Sequence, residues 1–108
     1  VEDRLWLVWE GVAAHLDEEW TLERLARLAH ISTEHLRRLC NRQLGRSPMH
    51  QVIFLRMRRA AELLSTTSDK VETIANAVGY QNPFVFSNTF KKWTGWRPSE
   101  FPGRTKEK

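Results

Sequence analysis

Arg37 and Arg38 stand side by side, with Thr33, Glu34 and Asn41 three or four residues away on either side. Side chains of these types are able to hydrogen-bond the edges of DNA bases. A guanidinium offers two parallel N–H groups to guanine O6 and N7, a grip worth roughly 1–3 kcal/mol of discrimination. Glu34 has two uses: it accepts from a cytosine amino group, or it pairs with Arg38 at i+4. An exposed arginine on a helix is often only a solvated charge, so the case rests on which face of which helix it occupies. No other chemistry competes. The chain has no Gly-rich phosphate loop, no paired-carboxylate arrangement and no nucleophile elbow. His15, His30, His35 and His50 share no i,i+4 spacing, and His35 and Cys40 lie five apart, so no metal site is expected. No catalytic residue or cofactor can be named, and the chain is not expected to be an enzyme.

Composition narrows the partner. The 108 residues suffice for one domain, or two very small ones sharing a core. A net charge of +4 and a pI near 9.7 favour a polyanion, nucleic acid ahead of a membrane surface. Cys40 is the lone cysteine, which excludes an internal disulfide and fits a reducing cytoplasm. No run of about 18 apolar residues and no charged-then-apolar leader occurs, so neither a membrane span nor a signal peptide is expected. The first residue is Val1 rather than Met, and an excised piece of a longer protein is expected.

The elements that position these residues read as helices throughout. Leu5, Val8, Trp9, Val12, Ala13 and Leu16 recur at i, i+3 and i+4, giving an amphipathic first helix that ends in the polar stretch Asp17-Glu18-Glu19-Trp20. Thr21 caps a second helix, Leu22 to Ala29. Ser32 caps a third that runs to about Leu44, with Leu36, Leu39, Cys40 and Leu44 as its buried stripe and Gly45 as its stop. Helix, short turn, helix is the helix-turn-helix arrangement. Pro48 to Leu64 reads as one unbroken helix of roughly 25 Å, with Val52, Met57, Ala60, Ala61 and Leu64 near helical spacing. Asp69 and Glu72 have the spacing of a capping box for a fifth helix, Lys70 to Val78. Asn82 caps a sixth, with Pro83 at its first position and an end near Thr94-Gly95. Trp93, Trp96, Phe86, Phe90 and Phe101 are expected in the core, and the basic tail from Phe101 to Lys108 is expected to fray.

The chain then repeats itself. Leu25-Ala26 and Ile74-Ala75 match at an offset of 49, and Ser32/Asn82, Leu36/Phe86, Cys40/Phe90, Arg42/Lys92, Gly45/Gly95 and Pro48/Pro98 match at 50. The second turn, Gly79-Tyr80-Gln81, is therefore one residue longer than His30-Ile31. Caps, core positions, stop glycine and following proline recur in order, so two helix-turn-helix modules are joined by the central helix. This divides the chain into residues 1–47, 48–64 and 65–108. By the same repeat, Phe84, Ser87, Asn88 and Lys91 stand where Glu34, Arg37, Arg38 and Asn41 stand in the first module.

The stretch Ile74 to Phe101, IANAVGYQNPFVFSNTFKKWTGWRPSEF, resembles the signature of the AraC/XylS family of bacterial transcription regulators. The first half, TLERLARLAHISTEHLRRLCNRQLGRSP, and the stretch Leu55 to Leu64 resemble the same DNA-binding domain. The resemblance covers about Trp20 to Phe101. It implies an all-α domain of about seven helices, with a short last helix near Pro98 to Phe101. It also implies two recognition helices in successive major grooves of double-stranded DNA, transcription regulation, and base contact at Pro83 and Val85. In the second module Asn88 suits adenine, Ser87 either base type, and Val85 or Phe84 a thymine methyl. This module departs from the more polar form of the motif, and Phe84 has an equal reading as a packing residue. Arg42, Arg46, Lys91, Lys92 and Arg97 are expected on phosphates, as are the helix N-termini at Ser32 and Asn82.

The expected function is sequence-specific DNA binding in a transcription activator, with RNA polymerase as a further partner. An effector or dimerisation domain is expected N-terminal to Val1, and the isolated chain is expected to be monomeric. The alternative is a helical protein-interaction module that reads no DNA sequence; positive charge on the recognition faces (Arg37, Arg38, Lys91) favours the first reading.

Overall fold

A computed structural model describes residues 3–104, with side chains from Leu5 onward. The described residues form six α-helices and no strand. They are α1 (Asp3–Ala14), α2 (Leu22–Ala29), α3 (Thr33–Leu44), α4 (Pro48–Thr66), α5 (Val71–Ala77) and α6 (Pro83–Thr94), followed by a 3-10 turn at Pro98–Glu100. The short last helix expected near Pro98 is that turn. None of the helices is long and apolar enough to cross a membrane. The chain divides into two compact units between Leu55 and Arg56, within α4.

The first unit is built on Leu5, Val8, Val12, Leu16, Trp20, Leu25, Ala26, Ala29, Leu36, Leu39, Cys40 and Val52. Two assignments from periodicity change here. Ala13 is exposed: in the last turn of α1 Val12 takes the inward position, and Ala13 and Ala14 face solvent. Trp20, placed by its acidic neighbours in a polar stretch, is buried. Its indole Nε1–H donates to the His15 carbonyl at 2.9 Å, so the ring enters the core with its polar atom satisfied. The Arg24 guanidinium covers the ring at 3.9 Å from its centroid and holds Glu18 by a 2.5 Å hydrogen bond. That bond lowers the Glu18 carboxyl below its ordinary range. Leu44 also departs from its expected stripe and is 37% exposed as the last residue of α3.

The second unit buries Met57, Ala60, Leu64, Ile74, Ala75, Val78, Phe86 and Phe90. Its aromatic residues form a continuous chain, Tyr80 on Phe86 at 5.6 Å, Phe86 on Phe90 at 5.7 Å and Phe90 on Phe101 at 5.4 Å between centroids. Phe101 is thus packed rather than frayed. Arg104 is tied too: its guanidinium donates to the carbonyls of Leu64, Thr67 and Asp69. Leu64 and Thr67 lie at the end of α4, where carbonyls lack helical partners. The remainder of the tail, 105–108, lies outside the described residues. Trp93 and Trp96 are 38% and 48% exposed rather than core, because Phe90 and Phe101 already fill the inner face at that end.

The repeat seen in the sequence is also a repeat of backbone geometry. His30 has φ 57° and Gly79, 49 residues later, φ 96°, both left-handed. The amide that follows each closes the preceding helix in the same way, Ile31 onto the Ala26 carbonyl at 3.1 Å and Tyr80 onto Ala75 at 2.8 Å. Gly45 and Gly95 end the two third helices at φ 70° and 84°. Caps agree in three cases: Thr21 accepts from the Arg24 amide, Ser32 from His35, and Asn82 from Phe84 and Val85. A further cap, Ser47 accepting from the His50 amide, starts α4.

The capping box is the exception. The N-cap of α5 is Lys70, with no side-chain hydrogen bond, and α5 starts at Val71. The Asp69 amide turns instead to Thr67 Oγ1 at 3.3 Å, which shifts the start one residue past the expected cap. Asn82→Ala is therefore expected to cost about 1 kcal/mol in urea unfolding, and Asp69→Ala less than about 0.5 kcal/mol. Equal losses would mean that Asp69 caps after all.

Candidate nucleic-acid interface

In the first module, burial of Leu36, Leu39 and Cys40 turns the opposite face of α3 to solvent. On that face Glu34, Arg37, Arg38 and Asn41 are exposed, while Thr33 is half-buried at the first turn. Among the described residues no ion pair joins Glu34 to Arg38, so the second use considered for Glu34 is not taken up. Asn41 donates from Nδ2 to the Arg37 carbonyl at 2.9 Å, which leaves its Oδ1 outward. The Cys40 thiol on the inner face is pushed up to about 11 by burial, so it stays protonated and is no nucleophile at neutral pH.

The N-terminus of α3 retains free donors. The His35 amide is held by Ser32 Oγ at 3.1 Å and the Leu36 amide by the Ser32 carbonyl at 3.0 Å. The Thr33 and Glu34 amides remain open toward an approaching anion. The equivalent end of α6 differs. Pro83 has no N–H, Asn82 Oδ1 takes the Phe84 and Val85 amides at 2.8 and 3.3 Å, and the Asn82 carbonyl takes that of Phe86 at 3.1 Å. The amides of Phe84, Val85 and Phe86 are thus all taken, so α6 offers fewer N-terminal donors at Asn82 than α3 does at Ser32.

In the second module Phe86 and Phe90 face inward, and α6 turns Phe84, Val85, Asn88, Lys91 and Lys92 outward, with Pro83 and Ser87 half-buried. Phe84 is 79% exposed and Val85 51%, so the packing reading of Phe84 does not hold. Ser87, Asn88 and Lys91 line an open cleft of about 540 Å³ together with Val71, Arg97, Pro98 and Ser99. Two cations, Lys91 and Arg97, and two hydroxyls thus share one concave surface. Ser99 and Val71 escaped the sequence reading because they come from separate segments, and no periodicity links them to α6.

The basic residues split into two kinds. Arg42, Lys91, Lys92 and Arg97 are exposed. Arg46 is half-buried, its guanidinium lying over the Phe54 ring at 4.3 Å with Nη1 shut off from solvent and without a hydrogen-bond partner. It is braced as a packing residue as much as a charge. Arg56 similarly lies 5.7 Å from the Tyr80 ring. Burial raises the Tyr80 hydroxyl above its ordinary range, and Arg56 opposes that rise.

A helix-turn-helix domain family model matches residues 25–104, from within α2 through α6 and the turn that follows it. The chain is 36% identical over 81 residues to the lactose operon transcription activator of Staphylococcus xylosus, covering 75% of this chain and 29% of that protein. It is 32% identical over 109 residues to the arabinose operon regulatory protein of Escherichia coli, covering all of this chain and 37% of that protein. Among solved structures, the DNA-binding domain of the global transcriptional factor AdpA, in complex with a target DNA, superposes with a TM-score of 0.84 at 28% identity. That match covers 90% of this chain and 87% of that one. The chain spans about a third of the length of the curated relatives it matches. With the signature from Ile74 to Phe101, the duplicated modules and these similarities in hand, the chain belongs to the AraC/XylS family of bacterial transcription regulators, as its tandem helix-turn-helix DNA-binding domain.

Proposed function

We propose that this chain binds double-stranded DNA in a sequence-specific manner, with α3 and α6 entering successive major grooves, and that it serves as the DNA-reading part of a transcription activator. The observation that carries this reading is the outward face of α3, where Arg37, Arg38 and Asn41 are exposed directly opposite a sealed apolar face. A similar division on α6 supports a second reader. Residues 1–47 act as the first reading unit, 48–64 as the linker and 65–108 as the second unit. Successive grooves on one side of a duplex are ~34 Å apart. The 19 residues of α4, roughly 28 Å of helix, are of that order.

Each side chain then has a task. Arg37 and Arg38 grip guanine, Glu34 accepts from cytosine, and Thr33 and Asn41 complete the first set. Pro83, Phe84, Val85, Ser87 and Asn88 form the second, with less charge and a lean toward A·T pairs. Arg42, Lys91, Lys92 and Arg97, with the open amides after Ser32, hold phosphates and set register rather than sequence. The activator role rests on the printed function of the Staphylococcus relative, and RNA polymerase is its natural second partner. In the full-length regulator an effector or dimerisation domain precedes Val1, a reading that the relatives' greater length supports. The isolated 108 residues are monomeric, and the protein works in the cytoplasm.

Selection of bound duplexes from a random DNA library at near-physiological salt tests the reading directly. Two short motifs with centres roughly 10 bp apart are expected. A failure to enrich any sequence, with only weak salt-sensitive retention, would replace this reading by that of a protein-interaction module. On the selected site, Arg38→Ala is expected to weaken binding by more than roughly 1 kcal/mol and to relax preference in one half-site alone. An unchanged profile across sequence variants removes Arg38 from the readers. Lys92→Ala is expected to lower affinity alike on all sequences and to flatten the salt dependence by about one unit of slope. A loss confined to particular sequences would make Lys92 a base reader instead.

A further inference from the structure

We infer that the second recognition helix recognises the C5-methyl group of a pyrimidine, accepting thymine and 5-methylcytosine alike, through Phe84 and Val85. The inference rests on the DNA reading proposed above and specifies the ligand of its second half.

The first turn of α6 cannot hold DNA by charge or by hydrogen bonds. It carries no acidic or basic side chain, and its amides are spent on Asn82 or missing at Pro83. What it presents is apolar surface, Phe84 at 79% exposure beside Val85 at 51%. Phe84 takes no part in the aromatic chain that runs from Tyr80 through Phe86 and Phe90 to Phe101, so the fold has no use for its ring. The apolar tip is also continuous with the polar reading surface. Ser87, Asn88 and Lys91 follow Phe84 at i+3, i+4 and i+7, on one stripe of the helix. A helix that presents Ser87 and Asn88 to base edges must carry Phe84 and Val85 into the groove with them.

The C5 position of pyrimidines supplies the apolar counterpart in that groove. Thymine carries a methyl group there, and phenylalanine is among the side chains that meet it. Methylation of cytosine at C5 puts the same methyl at the same place and leaves the pairing edge unchanged. An apolar contact with no hydrogen bond of its own has no means of telling the two apart. The first module differs at the matching positions, where Glu34 and His35 carry polar side chains and the Glu34 amide stays open. Methyl contact through the exposed Phe84–Val85 pair is therefore a property of the second half-site.

The test uses the 108-residue chain and the duplex recovered by selection. Thymines of the second half-site are replaced one at a time by deoxyuridine, which removes only the methyl. At one position or more the affinity is expected to fall about fourfold, the effect of burying one methyl group. At that position 5-methylcytosine is expected to bind about fourfold better than cytosine. Both differences are expected to vanish in the Phe84→Ser/Val85→Ser variant, which alters only exposed side chains and should retain the wild-type helix content. Equal affinity for thymine and deoxyuridine throughout the second half-site would overturn the inference while leaving sequence-specific binding intact. Persistence of the methyl effect in the double variant would overturn it as well, by moving the contact elsewhere. If no sequence is selected in the first place, the DNA reading and this inference fall together.

Discussion

Burial of one face of each recognition helix is the constraint from which the rest follows. Leu36, Leu39 and Cys40 on α3, and Phe86 and Phe90 on α6, are buried in the cores of their units. A helix has about 3.6 residues per turn, so fixing three such positions fixes its rotation about its own axis. Arg37, Arg38 and Asn41 have nowhere to go but outward, and the same is true of Phe84, Asn88 and Lys91. The reading faces need no dedicated scaffolding beyond a well-filled inner face. Rotation by one residue would bury a guanidinium without a partner, at a cost of several kcal/mol, and that cost holds the register.

The ends of these helices matter as much as their faces. Both modules use a left-handed residue to turn from the second helix into the third, His30 in one and Gly79 in the other. A β-carbon in that conformation costs roughly 1–2 kcal/mol, so the first turn carries strain that the second avoids. The caps of the recognition helices also differ in what they leave behind. Ser32 takes one amide and leaves two open, whereas Asn82 takes two and Pro83 removes a third. Two helices of equal length, on one repeated plan, thus present opposite chemistry at their tips: open N–H donors on α3 and bare hydrocarbon on α6. The modules are duplicates in architecture and differ in the chemistry of their helix tips.

Aromatic and cationic side chains close the remaining gaps. In the first unit Trp20 fills the core and Arg24 covers it, while in the second Phe101 and Arg104 draw the chain after α6 back onto the fold. Arg46 on Phe54 and Arg56 on Tyr80 follow the same pattern. A guanidinium is weakly hydrated and planar, which suits it to lie flat on a ring. In a chain this basic, part of the positive charge is therefore structural. Arg24 and Arg46 contribute to net charge as Arg37 and Arg38 do, yet they are braced against aromatic rings.

Periodicity and capping chemistry in the sequence were enough to determine six helices, three of their N-caps, both stop glycines and the inward positions of Leu36, Leu39, Cys40, Phe86 and Phe90, though not those of Leu44 and Trp93. Each of those features is decided within a few residues, by 3.6-residue spacing, a side-chain oxygen before the first turn or a glycine after the last. The duplicated module raised that local signal above chance. Only the tertiary structure decided the fate of residues whose environment comes from elsewhere in the chain. Trp20 looked polar among acidic neighbours and is core, because its indole reaches the His15 carbonyl. Trp93 and Trp96 looked like core and are exposed, because Phe90 and Phe101 occupy that space first. Asp69 had the spacing of a cap but lost its place to a turn made by Thr67. Phe84 had equal standing as packing or contact residue in the sequence, and the exclusion of its ring from an already complete aromatic chain turned it outward. Local signals specify where a helix starts, ends and faces; competition for one small interior decides which of several apolar residues is left outside.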